Sequence, residues 1–212
     1  MFAYAALGAF HGLNPAMGWL FAVALGLQER RRVIVLSALP PIALGHLASV
    51  AIVVAIVGIG RILIDPTVVR VIGACALLAF GVYKLGAARM HPRWVGMRVG
   101  FGDLTLWSFL MSSAHGAGLM LIPVLMHRAP VTHVAVSPLA GHSDAPGMLV
   151  GGLAAVAVHT FSFLAVTALL ATLVYEVFGL GLLRVAWVNL DALWAGALVV
   201  AGLVTLVMAT GG

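Results

Sequence analysis

The chain has 212 residues, of which 63% are hydrophobic and only 8% are charged, and its formal net charge is +5. Soluble domains carry about 25% charged residues, so this composition excludes a soluble globular protein and indicates one embedded in a lipid bilayer. The single cysteine, Cys75, excludes an internal disulfide. Because the basic residues fall between apolar runs, we attribute them to orientation in the membrane and expect no nucleic-acid partner.

Six apolar runs are each long enough for a transmembrane helix, which needs about 20 residues. They cover roughly residues 2–27, 34–60, 68–86, 104–126, 148–175 and 188–210. We therefore predict an all-α, polytopic membrane protein with six transmembrane helices, in which residues 1–212 form a single transmembrane domain. The connection at about 127–147 is the longest, and we expect it to be an external loop.

The basic residues of the connections predict how the chain is oriented. The first, third and fifth connections together hold eight Lys and Arg residues, against three in the second and fourth. Connections rich in Lys and Arg stay in the cytoplasm. The predicted location is therefore the cell (inner) membrane, with both termini outside.

Two halves of the chain, about 2–86 and 104–210, resemble each other. Offsets of 104, 113 and 121 residues match His11-Gly12 with His115-Gly116, His46 with His159, and Gly81 with Gly202. Each half has three predicted spans, so the second half would be inverted in the membrane relative to the first. Inverted repeats are common among secondary transporters, whose sites lie at the repeat interface near the midplane.

Four histidines lie inside predicted spans at repeat-related positions: His11, His46, His115 and His159. An ionisable side chain at membrane depth marks a functional site by default, and neutral imidazole is a good ligand for transition metals. We therefore predict that the four rings converge on a metal ion, with Ser49 and Ser162, one turn after a histidine, orienting the rings. The alternative is that each histidine hydrogen-bonds a carbonyl or a serine across a helix interface.

The first span contains the segment HGLNPAMG, in which Pro15 is expected to disrupt the helix. A broken helix offers free carbonyl groups that can bind a cation. Asn14 and Met17 follow His11 by three and six residues and would share one face of a regular helix. We predict Asn14 and Met17 as further metal contacts.

Three short patches carry a resemblance to a known family: HGLNPAMG from His11, LGHLASV from Leu44 and SSAHGAG from Ser112. They are similar to motifs of the lysine exporter superfamily, in its nickel/cobalt transporter and urease-accessory branch. The resemblance implies six spans built as two inverted three-helix repeats, and transport of Ni²⁺ or Co²⁺. Met17 and Asn14 stand where that branch has a second histidine and an acid, which makes a softer ion such as copper an option.

The sequence thus predicts a secondary transporter for a divalent transition-metal cation, nickel or cobalt in the first place. It holds none of the common enzyme or nucleotide motifs, so we expect no enzyme and no catalytic cofactor. The expected partners are the lipid bilayer and the metal ion, and a homo-oligomer or a larger membrane complex stays open. Two alternatives remain: a haem-binding membrane electron-transfer protein that uses the four histidines as axial ligands, and a small structural subunit of a larger membrane complex.

Overall fold

The computed structural model describes residues 1–87, 100–127, 145–178 and 190–210, and the regular secondary structure in these ranges is entirely helical. The α-helices of the described ranges are α1 (Phe2–Leu13), α2 (Trp19–Glu29), α3 (Arg32–Ser37), α4 (Leu39–Leu63), α5 (Pro66–Ala87), α6 (Phe101–Ala114), α7 (Ile122–His127), α8 (Ala145–Leu173) and α9 (Leu190–Thr210). The prediction of an all-α protein is confirmed for these residues.

Short non-α turns interrupt or extend three of the predicted spans. A 3₁₀ turn at Pro15–Met17 separates α1 from α2, and another at Leu119–Leu121 separates α6 from α7. A π-helical turn at Val174–Phe178 extends α8. Such turns often stand at functional sites, and the first two directly follow His11 and His115.

Three helical stretches of the described chain are long and apolar enough to cross a membrane: Arg32–Arg61, Thr67–Gly86 and Val150–Val177. A fourth candidate is the pair Phe101–Ala114 and Leu119–Leu125, bent by 49°. The structure therefore contains three to four candidate membrane-spanning helices, within the second to fifth predicted runs. The helices of the first run, and the described part Ala195–Ala209 of the sixth, are apolar but shorter.

The second predicted run is not one uninterrupted helix, because a turn at Ala38 separates α3 from α4. Pro40 and Pro41 lie in the first turn of α4. The first backbone N–H groups of a helix have no intrahelical partner, so proline costs little there. The pair thus starts a helix instead of kinking one, and His46 lies in regular helix beyond it.

The start of α5 is fixed by Asp65. One oxygen of this carboxylate accepts a hydrogen bond from the backbone N–H of Thr67, with 2.7 Å between nitrogen and oxygen, and a longer one from that of Val68. Capping of this kind satisfies N–H groups that the first helical turn leaves without partners. These hydrogen bonds, that of Thr67 first, hold the pKa of the exposed Asp65 carboxyl below its usual value.

The helices pack in pairs, of which the most extensive are α5 with α9, α1 with α8, and α4 with α6, followed by α4 with α8. Close approach depends on small residues. A Cβ atom at Gly8 would overlap the backbone carbonyl of His159, so α1 and α8 touch along their backbones. This contact brings the histidine of α1 next to the histidine of α8.

Candidate functional site

Three of the four predicted histidines meet in the interior. The ring centroid of His11 lies 5.8 Å from that of His46 and 5.1 Å from that of His159, and the latter two are 5.3 Å apart. All three side chains are 0% exposed. They come from α1, α4 and α8, so the cluster forms where both second helices of the predicted repeats meet the first helix.

The ring of His115 makes the same kind of local hydrogen bond as the ring of His11. Its Nδ1–H donates to the carbonyl oxygen of Met111 at 2.8 Å, just as the Nδ1–H of His11 donates to that of Leu7 at 2.8 Å. Each acceptor lies four residues before its histidine. His115 is buried.

The hydrogen bonds of the rings indicate which nitrogen can bind a ligand. The Nδ1–H of His159 donates to the Tyr4 carbonyl oxygen at 3.3 Å. The Nδ1 atoms of His11, His115 and His159 therefore all face backbone carbonyl groups. A carbonyl oxygen only accepts, which places the proton of a neutral imidazole on Nδ1 and leaves a lone pair on Nε2. The Nε2 atoms of His46 and His159 are buried without a hydrogen-bond partner among the described residues.

His46 is held by a different set of contacts. Its Nδ1 lies 2.9 Å from the hydroxyl oxygen of Ser112 on α6, and that hydroxyl donates to the sulfur of Met17 at 3.7 Å. Met17 is 0% exposed. It therefore reaches the cluster through Ser112. Ser49, expected to orient His46, instead pairs with the hydroxyl of Ser113 at 3.0 Å.

The ring of Phe163 fixes the plane of His46. The two rings are stacked with centroids 3.8 Å apart and an angle of 12° between their planes. His46 and His159 are also nearly parallel, at 11°. Because Phe163 lies one turn after His159 on α8, this helix contacts the His46 ring at two successive positions. Phe163 was not predicted as a site residue, and its place in an apolar run gives no signal of this role.

The helix is interrupted after α1 as predicted, but two of the carbonyl groups at the break accept hydrogen bonds from side chains. The indole N–H groups of Trp19 and Trp107 donate to the carbonyl oxygens of Leu13 and Ala16, each at 3.3 Å. This differs from the expectation that these carbonyls would be open to a cation. The tryptophans stabilise the break because their indoles replace hydrogen bonds that the interrupted helix cannot make.

Asn14 occupies the break itself. Its Oδ1 accepts a hydrogen bond from the Ala16 backbone at 3.0 Å, and its buried Nδ2 has no partner among the described residues. Since α1 ends at Leu13, His11, Asn14 and Met17 do not share one helix face as predicted. Gly18, with φ of 128°, ends the 3₁₀ turn in a conformation that favours glycine.

The cluster offers imidazole lone pairs in a buried, uncharged setting, which suits a cation that prefers nitrogen ligands. Within the described ranges, no group of three or more His, Cys, Asp or Glu side chains stands in an arrangement that could hold a metal ion. The rings of His46 and His159 lie nearly parallel, with their centroids 5.3 Å apart. Coordination by all three would require at least one ring to turn.

The other predicted features lie outside the described residues. These are most of the external loop with His133, His142 and Asp144, and the basic connections with Arg89, Arg93, Arg98 and Arg184. No protein-family model, no curated protein and no solved structure matches the chain.

Proposed function

We propose that this chain is a secondary membrane transporter for a divalent transition-metal cation, Ni²⁺ or Co²⁺, bound by intramembrane histidines. The observation that carries the proposal is the group formed by His11, His46 and His159, whose ring centroids lie within 5.8 Å of one another. A buried polar atom left without a partner costs about 1–3 kcal/mol. A cation bound by the Nε2 atoms of His46 and His159 would remove that cost at two positions at once.

The direction of the helices supports six alternating spans. Gly8 contacts His159, and Gly26 further along the chain contacts Tyr175. The residue numbers rise together, so α1 and α2 run along α8 in the same direction and over a similar length. The short helices α1 and α2 would together cross the membrane as one broken span, parallel to α8. The first and fifth spans must be parallel when successive spans alternate in direction.

The remaining pairs follow the same series. On α4 and α6, Ile42 receives the hydrogen bond of Ser108, and Ser49 pairs with Ser113, so these helices are also parallel. They would be the second and fourth spans. On α5 and α9, Gly81 lies against Val199 and Leu78 lies against Gly202. The residue numbers of the two helices run in opposite directions, so these helices are antiparallel, as expected for the third and sixth spans.

The same contacts support an inverted repeat. The first helix of each half packs against the second helix of the other half, α1 on α8 and α6 on α4, and the third helices α5 and α9 pair with each other. A Cβ atom at Gly81 would meet Val199, and one at the matched Gly202 would meet Leu78, whose match is Val199. This reciprocity supports a two-fold relation between the halves, which would invert the second half if each half has three spans.

The haem alternative is less well supported by the contacts. It requires His11 with His115, and His46 with His159, on opposite sides of two flat cavities. The His46 and His159 rings instead stack on each other, and Phe163 covers His46. A sharp Soret band in the purified protein would nevertheless overturn the transporter. Co-purification with a large partner and no bound metal would favour the structural subunit.

The test is metal binding by the purified protein, followed by metal uptake or release in proteoliposomes. Titration with Ni²⁺ and Co²⁺ is expected to show one site, and His46→Ala and His159→Ala are each expected to weaken binding by at least about tenfold. Ser37→Ala is the matched control, because its hydroxyl only bonds the Ile34 carbonyl at an exposed position. Tight binding retained in both histidine variants would refute the site, and binding without movement across the bilayer would refute transport.

A further inference from the structure

The Nδ1 atom of His46 has a different kind of partner from those of His11, His115 and His159. Those three face carbonyl oxygens, which can only accept. His46 faces the hydroxyl of Ser112, which can either donate or accept. The direction of this one hydrogen bond decides whether Nδ1 or Nε2 of His46 carries the proton.

The second contact of the Ser112 hydroxyl favours one of these two directions. Its oxygen lies 3.7 Å from the sulfur of the fully buried Met17. A thioether sulfur can only accept, and a hydroxyl has a single proton. When that proton points to Met17, the oxygen of Ser112 must accept from Nδ1–H of His46, and the lone pair of His46 is then on Nε2.

The two halves of the molecule reach the same result by different means. The residue matched to Ser112 in the first half is Gly8, which has no hydroxyl to offer His159. There the carbonyl of Tyr4 accepts from Nδ1 of His159. His46 therefore depends on a side-chain relay for its protonated nitrogen, whereas His159 uses a backbone carbonyl.

We propose that Met17 and Ser112 are positioning residues that hold His46 in the Nδ1–H tautomer and so keep its Nε2 lone pair available to the cation. This inference rests on the proposed function for the identity of the ligand. It assigns Met17 an indirect role: the sulfur acts on the cation only through Ser112 and His46. The imidazole nitrogens then determine which metal binds, because no thioether sulfur acts as a ligand that would favour Cu(I).

The tautomer is measurable in the metal-free protein. Ring ¹⁵N chemical shifts of ¹⁵N-histidine-labelled protein, with His46→Asn to assign the signals, are expected to show His46 protonated on Nδ1. Met17→Leu conserves volume but removes the acceptor, which releases Ser112 to donate to Nδ1. We expect the His46 signals to change to the Nε2–H pattern, and the apparent Kd for Ni²⁺ to weaken by about tenfold because the competent tautomer becomes minor. Met120→Leu, at another buried methionine in a separate apolar cluster, is the matched control and should change neither.

A double-mutant cycle separates the indirect role from direct coordination. In a Ser112→Ala background, Met17→Leu is expected to change the Kd by less than about twofold, because the relay is already absent. An equal loss from Met17→Leu in both backgrounds would overturn the inference, as would an unchanged His46 tautomer in Met17→Leu. A tautomer that switches as expected in a protein that binds neither Ni²⁺ nor Co²⁺ would retain the relay and overturn the proposed function instead.

Discussion

Replacing Gly8 with alanine tests whether the contact between α1 and α8 builds the histidine cluster. The added Cβ would overlap the carbonyl oxygen of His159 and lie 2.9 Å from its carbonyl carbon. Both are backbone atoms within a helix, so they cannot rotate away as the end of a side chain could. The helices must move apart instead.

The magnitude follows from two opposing terms. Overpacking of a close interface costs about 1–3 kcal/mol, and a rigid backbone neighbour places Gly8→Ala in the upper part of that range. Alanine recovers about 0.5–1 kcal/mol of helix propensity. The net loss of about 1–2 kcal/mol corresponds to a fall in Tm of roughly 2–8 °C for a chain of this size. Because Gly8 lies one turn before His11, the same displacement separates the His11 and His159 rings.

The assay is thermal unfolding of the purified protein in detergent, together with titration by Ni²⁺. Gly58→Ala is the matched control, since a Cβ at that helical position meets nothing within 4 Å. It should leave Ni²⁺ binding unchanged and keep or slightly raise the Tm. If Gly8→Ala were as stable as Gly58→Ala and bound Ni²⁺ equally well, the reasoning that the backbone contact positions the cluster would be wrong.

Two further predictions concern the ends of helices. A cysteine introduced at the exposed Gln28, in a Cys75→Ser background, is expected to resist membrane-impermeant thiol reagents in intact cells and to react after lysis, because the basic first connection should be cytoplasmic; rapid labelling of intact cells would reverse the orientation. Asp65→Ala is expected to lower the Tm at pH 7, whereas Asp65→Asn should retain the cap. The folded pKa of Asp65 lies below its unfolded value of about 3.9. The extra stability from the ionised carboxylate is therefore present above about pH 3.9 and is lost as the pH falls through the folded pKa, which leaves the neutral cap that Asp65→Asn also provides. A difference in Tm between wild type and Asp65→Ala that stays unchanged from about pH 7 to about pH 2 would contradict this.

Local sequence signals were enough to predict the helices and the break in the first span. Long apolar runs require helices in a bilayer because every backbone group must be bonded internally, and Pro15 cannot continue a hydrogen-bonded turn. The convergence of His11, His46, His115 and His159 was expected for a related reason, since burying imidazoles in lipid is costly and a shared partner offsets that cost; the cluster seen contains His11, His46 and His159. The structure places these three together.

The contacts that orient the rings were not predictable in the same way. Ser112 and His46 are 66 residues apart, and their meeting depends on how α4 and α6 rotate against each other, which the nearly uniform apolar composition does not specify. The same holds for Phe163, one of many apolar residues of α8. The indoles of Trp19 and Trp107 fill the helix break for a reason that only the packed structure reveals, as Trp107 comes from a distant helix.

The reciprocal contact of α5 and α9 provides a direct test of the two-fold relation between halves. A Cβ at Gly81 would lie 2.8 Å from a Val199 side-chain carbon and 3.1 Å from its backbone nitrogen, and a Cβ at Gly202 would lie 2.8 Å and 3.0 Å from the same kinds of atom in Leu78. Because the two environments are nearly equal, Gly81→Ala and Gly202→Ala are expected to lower the Tm by similar amounts, which corresponds to free energies of unfolding within about 0.5 kcal/mol of each other.

Gly196→Ala on α9, whose Cβ would meet nothing within 4 Å, serves as the control for that pair and should not lower the Tm. Gly81 and Gly202 contribute no atom to the cluster of His11, His46 and His159, so both variants should keep their affinity for Ni²⁺ while losing stability. A large loss at Gly81 with none at Gly202 would mean that the two third helices are not equivalent. The matching of the halves, and with it the argument for an inverted repeat, would then fail even if the histidine site survived.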